Sequence, residues 1–324
     1  MVELAVVGAG PCGLGVGVAA RQAGMECVIF DKGPITSAIG MYPTHMTFFS
    51  TAERLELGGV PFITAADKPT RRDALKYYRR IVDVFELDVH QYEGVTEIGG
   101  ERGAFRLRTL RKDGDVAEYA ARNVVIATGY LDTPRLMGIP GEDLPKVFHY
   151  YKEGYPYSRE DCLVVGAGNS AVDVALDLYR WGARVTLVHF ADALDPGVKP
   201  WILPDIANRI KTGEIAVRWR SRLAEIRPRS VVLRSDETGE AEELPNDWVF
   251  AMTGYIPEPT LLRQLGVSID AQTGIPRHDR ETMETDVPGV FIAGVVAAGY
   301  DANKIFIENG REHGPRIVRA ILGR

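Results

Sequence analysis

Three glycines and an acid near the amino terminus carry the spacing of a dinucleotide site. Gly8-Ala9-Gly10-Pro11-Cys12-Gly13 follows a short apolar stretch that begins at Glu3, and Asp31 stands 18 residues beyond Gly13. Gly8 lets the chain turn sharply off a strand, Gly10 lets the backbone approach a pyrophosphate, and Gly13 lets a helix pack tightly on the sheet. The helix N-terminus then faces the phosphates with its N–H groups and its partial positive charge. A carboxylate at the end of the next strand, Cys27 to Phe30, accepts hydrogen bonds from an adenosine ribose. The binding candidates at this end are Gly8, Gly10, Pro11, Cys12, Gly13, Asp31 and Lys32.

The unit recurs. At an offset of 158 residues, Gly8, Gly10, Gly13, Gly24 and Asp31 correspond to Gly166, Gly168, Ala171, Gly182 and His189, and alanine in place of the third glycine is a known variation of the turn. The second copy runs from Cys162 through Gly166, Gly168, Asn169, Ser170 and Ala171 into a helix with apolar Val172, Ala175, Leu176 and Leu178, then a strand from Arg184 to His189. Each copy closes with a similar stretch, Val124-Val-Ile-Ala-Thr-Gly-Tyr130 and Val249-Phe-Ala-Met-Thr-Gly-Tyr255. Both read as buried strands that end in a Thr-Gly turn, at Thr128-Gly129 and Thr253-Gly254, where the backbone can pass close to a cofactor.

The elements that must hold these turns are legible in outline. Residues 71 to 87 space their apolar positions (Leu75, Tyr78, Ile81, Val82, Phe85) as a helix. Residues 88 to 120 read as a small antiparallel excursion, because Phe105 to Leu110 alternates ahead of a turn at Lys112 to Asp115. Residues 131 to 160, rich in Pro, Gly and Tyr, read as a crossing between domains. A further strand is expected over 286 to 294, and a helix from about Asn303 to Leu322.

Bulk properties bound the answer. The 324 residues suffice for two domains, and 45% hydrophobic content is what packed cores need. There is no apolar run of about 18 residues and no basic leader with a cleavage site, so a cytoplasmic protein without a membrane partner is expected. The net charge of −6, with dispersed basic residues, gives no footprint for nucleic acid. Cys12, Cys27 and Cys162 are odd in number and widely spaced, which argues against a disulfide framework and against a metal site.

Cys12 has the strongest claim to redox chemistry. A thiol at a helix N-terminus has a lowered pKa, whereas a facing pyrophosphate opposes its ionisation. The alternative is a small side chain that fills a tight turn.

The paired turns, the paired Thr-Gly closures and Pro288-Gly-Val-Phe-Ile-Ala-Gly294 resemble the thioredoxin-reductase-like flavoproteins with two dinucleotide-binding domains. More narrowly, Gly8 to Gly13, Phe48-Phe-Ser-Thr-Ala-Glu-Arg-Leu-Glu-Leu-Gly58, Lys199-Pro-Trp-Ile-Leu-Pro204, Phe250 to Tyr255, Ala293 to Asn303 and Ile307-Glu-Asn-Gly310 are similar to the YpdA-type bacillithiol-disulfide reductases. The resemblance implies an α/β fold of two Rossmann-like domains with the second inserted in the first. FAD is then expected on residues 1–132 and 256–324, and NADPH on 133–255. It also implies reduction of a low-molecular-weight thiol disulfide, a redox role for Cys12, and a homo-oligomer, since relatives of this architecture are usually dimers. The flavin ring is expected against residues 39 to 50, with Gly40, Tyr42, Thr47 and Phe48 as contacts, and Gly294 and Asn303 at its other end.

Three departures bear on mechanism. The chain has no Cys-x-x-Cys pair, so it has no internal dithiol through which to pass electrons. The usual Gly-Asp that binds the ribitol is here Gly294-Val295. The arginines that normally grip a 2′-phosphate are missing, because His189 is followed by Phe190 and Ala191. Without an acid at position 189 the main reason to choose NAD disappears, and His189 or Lys199 is left to supply positive charge. Rival readings are a ferredoxin- or flavodoxin-NADP reductase, a flavin monooxygenase, and a redox-sensing flavoprotein without turnover.

Overall fold

A strand with neighbours on both sides and both faces covered has no solvent side, and its buried part is then apolar. β1 (Val2–Val7) is such a strand in the computed structural model, buried along its last four residues. It leads into α1 (Pro11–Gln22), β2 (Cys27–Asp31), the short α2 (Ser37–Met41), α3 (Arg71–Phe85), β3 (Asp88–Gln91), β4 (Glu93–Gly99), β5 (Phe105–Arg111) and β6 (Val116–Ile126). The structure describes residues 1–323; Arg324 and the side chain of Asn303 lie outside the described residues.

These strands form one sheet in the order β3-β2-β1-β6-β5-β4, with β15 (Val290–Ile292) also on β6. β6 does two jobs. Its first part pairs antiparallel with β5, from Leu110↔Val116 to Phe105↔Ala121, and its last part pairs parallel with β1 and with β15. The excursion expected over 88 to 120 therefore needs correction at one end: β3 joins the main sheet parallel to β2, and the antiparallel strands are β4 to β6.

α3 begins where its sequence says it must. Thr70 Oγ1 accepts from the N–H of Asp73 at 3.2 Å, and Asp73 Oδ2 accepts from the N–H of Thr70 at 3.0 Å, which satisfies two end donors reciprocally. Its apolar face buries Ala74, Tyr77, Tyr78 and Ile81. The Tyr77 hydroxyl accepts from Leu57 N–H and donates to the Val60 carbonyl, both at 2.8 Å, so the helix also fixes the loop that crosses it.

The second unit consists of residues 134–254 together with Met41–His45, and the first of residues 1–40, 46–133 and 255–324. In chain order the second unit contains β7 (Val147–Phe148), β8 (Asp161–Val165), α4 (Asn169–Arg180), β9 (Arg184–Val188), α5 (Leu203–Lys211), β10 (Ile215–Arg218), β11 (Ser221–Ile226), β12 (Ser230–Ser235), β13 (Ala241–Pro245) and β14 (Trp248–Ala251). Its parallel sheet runs β10-β9-β8-β14-β7, beside a separate antiparallel β11-β12-β13. Residues 131 to 160 are thus more than a crossing, because β7 supplies an edge strand that the Pro- and Tyr-rich composition concealed. Met41–His45 departs from the expected boundary: Thr44 N–H donates to the Lys152 carbonyl at 3.0 Å, and His45 Nδ1 lies 3.6 Å from Asp177 Oδ2.

The chain finishes in the first unit with α6 (Thr260–Gln264), β15, α7 (Ile307–Gly310) and α8 (His313–Ile321). The single helix expected from about Asn303 to Leu322 is instead two, α7 and α8, and the first starts at Ile307, where Phe306 N–H donates to Asn309 Oδ1 at 2.8 Å. Among the described residues no helix is long and apolar enough to cross a membrane.

Glu93, 5% exposed, is the most demanding polar group in the first unit's sheet. Burial raises its pKa, but bonds from Thr109, His90, Tyr119 and Arg111 outweigh burial and hold the carboxyl at about 2. Because this lies below the unfolded value of about 4.3, the stabilisation is complete above about pH 4.5 and is lost as pH falls towards 2. Glu93→Gln should cost about 2–3 kcal/mol at pH 7, roughly half of that at pH 3 and little near pH 2, read from urea midpoints across that range.

Candidate functional site

The first Gly-rich turn is fixed by what surrounds it. Gly8 has φ +112°, and a Cβ there would stand 2.3 Å from the Ala127 carbonyl oxygen at the end of β6. A Cβ on Gly13 would stand 1.9 Å from the Gly8 oxygen. Gly10, by contrast, has open space before it and is the extended N-cap of α1, with no side-chain cap and no acid in the first turn. The N–H groups of that turn have no acceptor within the helix, so an anion is what completes them.

Asp31 reaches the same turn. Its Oδ2 accepts from Ala9 N–H and its Oδ1 from Gly33 N–H, both at 2.8 Å, with Ser37 Oγ at 3.4 Å from Oδ1. Burial raises its pKa, the backbone bonds oppose the rise, and the nearby Asp132 charge adds to it. Lys32 pairs with Asp132 at 2.9 Å. The turn of β6 adds Thr128, whose buried Oγ1 has no hydrogen-bond partner among the described residues, and Gly129 at φ +75°. A buried unpaired hydroxyl costs about 1–3 kcal/mol, and a ligand atom removes that cost. Open space at Gly10, uncapped N–H groups and the Thr128 hydroxyl together fit a dinucleotide.

The residues expected along the flavin separate. Arg71 donates to the Ile39 and Gly40 carbonyls at 3.1 and 2.6 Å, closing the end of α2 in the first unit. Thr47 bridges to Thr70, and Phe48 is buried in the first unit with its N–H on the Pro69 carbonyl. Tyr42 falls with the second unit.

Cys12 is seated between two backbones. A Cβ on Gly310 would lie 2.7 Å from its Sγ, and one on Gly294 would lie 3.0 Å away. Gly294 N–H donates at 3.0 Å to Nδ1 of the buried His313, whose pKa burial lowers to about 4, so the ring is neutral at pH 7 and carries its proton on Nε2. Burial also pushes the Cys12 thiol up to about 12, against the lowering expected from a helix N-terminus, and Cys27 and Cys162 likewise. His313 carried no recognisable signal in the sequence, since its role depends on α8 folding back on β15.

The second turn repeats the first with changes. Gly166 has φ +121° and faces the Met252 oxygen, where a Cβ would come within 2.7 Å; Gly168 has open space before it. Ala171 keeps its Cβ and is fully buried. Asn169 accepts from Lys199 N–H and donates to the Gly197 oxygen, strapping the loop 195–199 onto α4, while Ser170 stands exposed beside it. The Lys199 ammonium is engaged by Asp173 at 2.6 Å. Thr253 Oγ1 donates to the Arg135 oxygen at 2.6 Å, next to Gly254 at φ +86°. Burial lowers the His189 pKa, Asp195 opposes this and Arg222 adds to it, leaving His189 uncharged at pH 7. Arg218, Arg220 and Arg222 stand next to it, brought by the turn from β10 to β11. Sequence reasoning passed over them, although alternating arginines after a strand were the available signal.

If the Cys12 seat depends on both glycines, Gly310→Ala should destabilise the protein by about 1–3 kcal/mol through overpacking. Combining it with Cys12→Ala should restore most of that loss, because the nearest clash is with the sulfur. A double-mutant cycle on thermal or urea unfolding measures this coupling.

Residues 5–294 match the family described as pyridine nucleotide-disulphide oxidoreductase. Bacilliredoxin reductase Bdr of Bacillus subtilis is 46% identical over 320 residues, 98% of this chain and 97% of that one. The solved bacillithiol disulfide reductase Bdr (YpdA) of Bacillus cereus is 44% identical, with a TM-score of 0.97 over 100% of this chain and 99% of that one. The Staphylococcus aureus structure of the same description is 38% identical, with a TM-score of 0.93 over 99% and 98%. FAD and NADPH are the cofactors this likeness brings with it. The chain, with two nucleotide turns on two Rossmann-like units, belongs to the pyridine nucleotide-disulphide oxidoreductase family as a thioredoxin-reductase-like flavoprotein disulfide reductase.

Proposed function

We propose that this protein uses NADPH to reduce the disulfide of a low-molecular-weight thiol, bacillithiol disulfide. The observation that carries the reading is the 46% identity to a bacilliredoxin reductase along nearly the whole chain, with both Gly-rich turns intact. Residues 1–132 and 256–324 are assigned to FAD, and 133–255 to NADPH. When bound, FAD supplies a two-electron relay from the nicotinamide to the disulfide.

The chain's own residues prepare that relay. The first turn of α1 takes the FAD pyrophosphate, with Asp31 at the ribose and the Thr128 hydroxyl and Gly129 backbone beside the cofactor. The first turn of α4 does the same for NADPH, with Gly168 and Ser170 nearest the phosphates. Gly294 and the helical turn after Phe306 stand at the flavin's other end. With three widely spaced cysteines and no Cys-x-x-Cys pair, the protein is assigned to the reducing cytoplasm, as a homo-oligomer of the kind usual for this architecture.

Cys12 is assigned to engage the substrate: its thiol gives up its proton as its sulfur attacks one sulfur of the disulfide, the expelled thiolate takes up that proton and leaves as a thiol, and two electrons with two protons then release the second thiol and regenerate the Cys12 thiol. A second reading, favoured by the glycine seat and the pKa of about 12, makes Cys12 a packing residue.

Anaerobic stopped-flow separates these readings. NADPH should bleach the visible flavin band, and bacillithiol disulfide should restore it. Bleaching without recovery by any thiol disulfide, but with recovery by ferredoxin or flavodoxin, would replace the proposed substrate. Under the first reading of Cys12, Cys12→Ala bleaches normally and its reoxidation slows by more than about a hundredfold. Under the packing reading the rate is retained.

A further inference from the structure

The second unit carries a cationic feature that the reading above does not use. β9 ends at Val188, and the residues after it are zipped to the turn from β10 to β11 by three backbone bonds of 3.0 Å. His189 N–H donates to the Arg218 oxygen, Ser221 N–H to the His189 oxygen, and Arg220 N–H to the Ala191 oxygen. β10 is the next strand in the sheet and parallel to β9, with Arg218 in register with Val188. Arg220 and Arg222 are therefore delivered to the carboxyl ends of the strands, the edge that carries the Gly-rich turn.

Position 189 is where this fold meets the adenosine ribose. An acid there bonds a free 2′-hydroxyl, and an arginine nearby accommodates a 2′-phosphate. Here position 189 is a neutral histidine, the following residues are Phe190 and Ala191, and Lys199 is held by Asp173. Arg218 is clamped through two nitrogens by Glu242 at 2.7 and 2.8 Å. That leaves two guanidinium groups. Arg222 lies over the Phe190 ring at 5.0 Å and uses only its Nε, on Asp236, so both terminal nitrogens lack hydrogen-bond partners among the described residues. Arg220 bridges Asp192 and Glu237.

We propose that Arg220 and Arg222, carried by the β10–β11 turn in place of cations directly after β9, form the 2′-phosphate seat that makes the second unit select NADPH over NADH. This rests on the assignment of NADPH to that unit and deepens it. The three carboxylates nearby do not close the seat. Exposed ion pairs of this kind are worth about 0–1 kcal/mol each, whereas a phosphate dianion takes charge-assisted, two-pronged bonds from a guanidinium. The acids orient the arginines until the phosphate arrives, and Phe190 holds the plane of Arg222.

The test uses the FAD-loaded full chain. Calorimetry measures NADP⁺, NAD⁺, 2′,5′-ADP and 5′-AMP binding to the native protein, Arg220→Gln, Arg222→Gln and the charge-preserving Arg222→Lys. Native protein should bind NADP⁺ at least about tenfold tighter than NAD⁺. Each Gln variant should lose about tenfold or more for NADP⁺ and 2′,5′-ADP, with a shallower salt dependence, and change less than about twofold for NAD⁺ and 5′-AMP. Arg222→Lys should fall between. Equal losses for both nucleotides, unchanged NADP⁺ binding in the variants, or a native preference for NAD⁺ would overturn the seat. FAD content and melting temperature reveal a misfolded variant, in which case Arg222→Lys and the native salt dependence carry the decision. If native protein binds neither nucleotide, the assignment of the second unit fails with the seat. If NADPH bleaches the flavin while the variants keep their selectivity, only the seat fails.

Discussion

Gly8 has no room for a side chain, because the backbone at the end of β6 stands where a Cβ would go. That close approach brings together the carboxyl ends of the central strands: Gly8 N–H bonds the Phe30 oxygen, Ala127 N–H the Val7 oxygen, and Ala293 N–H the Ile126 oxygen. The consequences spread along the row. Asp31 is brought to the turn by β2, Thr128 by β6, and Gly294 by β15, so residues distant in sequence face one small region. The Cys12 seat belongs to the same arrangement, since Gly294 arrives on β15 and Gly310 on the helix that follows. A bulkier residue at any of these approaches would separate strands whose ends must stay together.

The duplicated turn shows which parts of this geometry are obligatory and which are adjustable. Positive φ with a facing carbonyl is kept at Gly8 and Gly166, and open space is kept at Gly10 and Gly168. The third glycine is relaxed to Ala171, because the second turn leaves space for a methyl group. The closing threonines diverge more: the buried Thr128 hydroxyl has no partner among the described residues, while Thr253 gives its proton to the Arg135 carbonyl. The same local fold therefore leaves a side-chain hydroxyl uncommitted among the described residues of one unit and uses it to anchor the entering chain in the other.

The parts legible in the sequence were those set by local sterics and by strand and helix period. Both turns, the strands β1, β2, β8 and β9 beside them, and α3 lie within two residues of expectation. The parts that escaped depend on partners far along the chain. The thiol at Cys12 was read from its helix position, but its ionisation is governed by burial under Gly294 and Gly310, which sequence distance conceals. The missing cations after His189 were sought in the next few residues, whereas hydrogen bonding across the sheet edge brings arginines from the next strand. β7 and β11 to β13 were missed because they are short or polar on one face.

Met41–His45 has a consequence in the order of synthesis. These five residues leave the ribosome early, yet their bonds to Lys152 and Asp177 need chain that is made a hundred residues later. The first unit is in the same position at its other end, since β15 and α8 are made well after β6 and α1, on which they pack. Neither unit is therefore complete as one continuous length of nascent chain. The second can finish before the first, and the seat of Cys12 waits for Gly294 and Gly310, which are made after the second unit is whole.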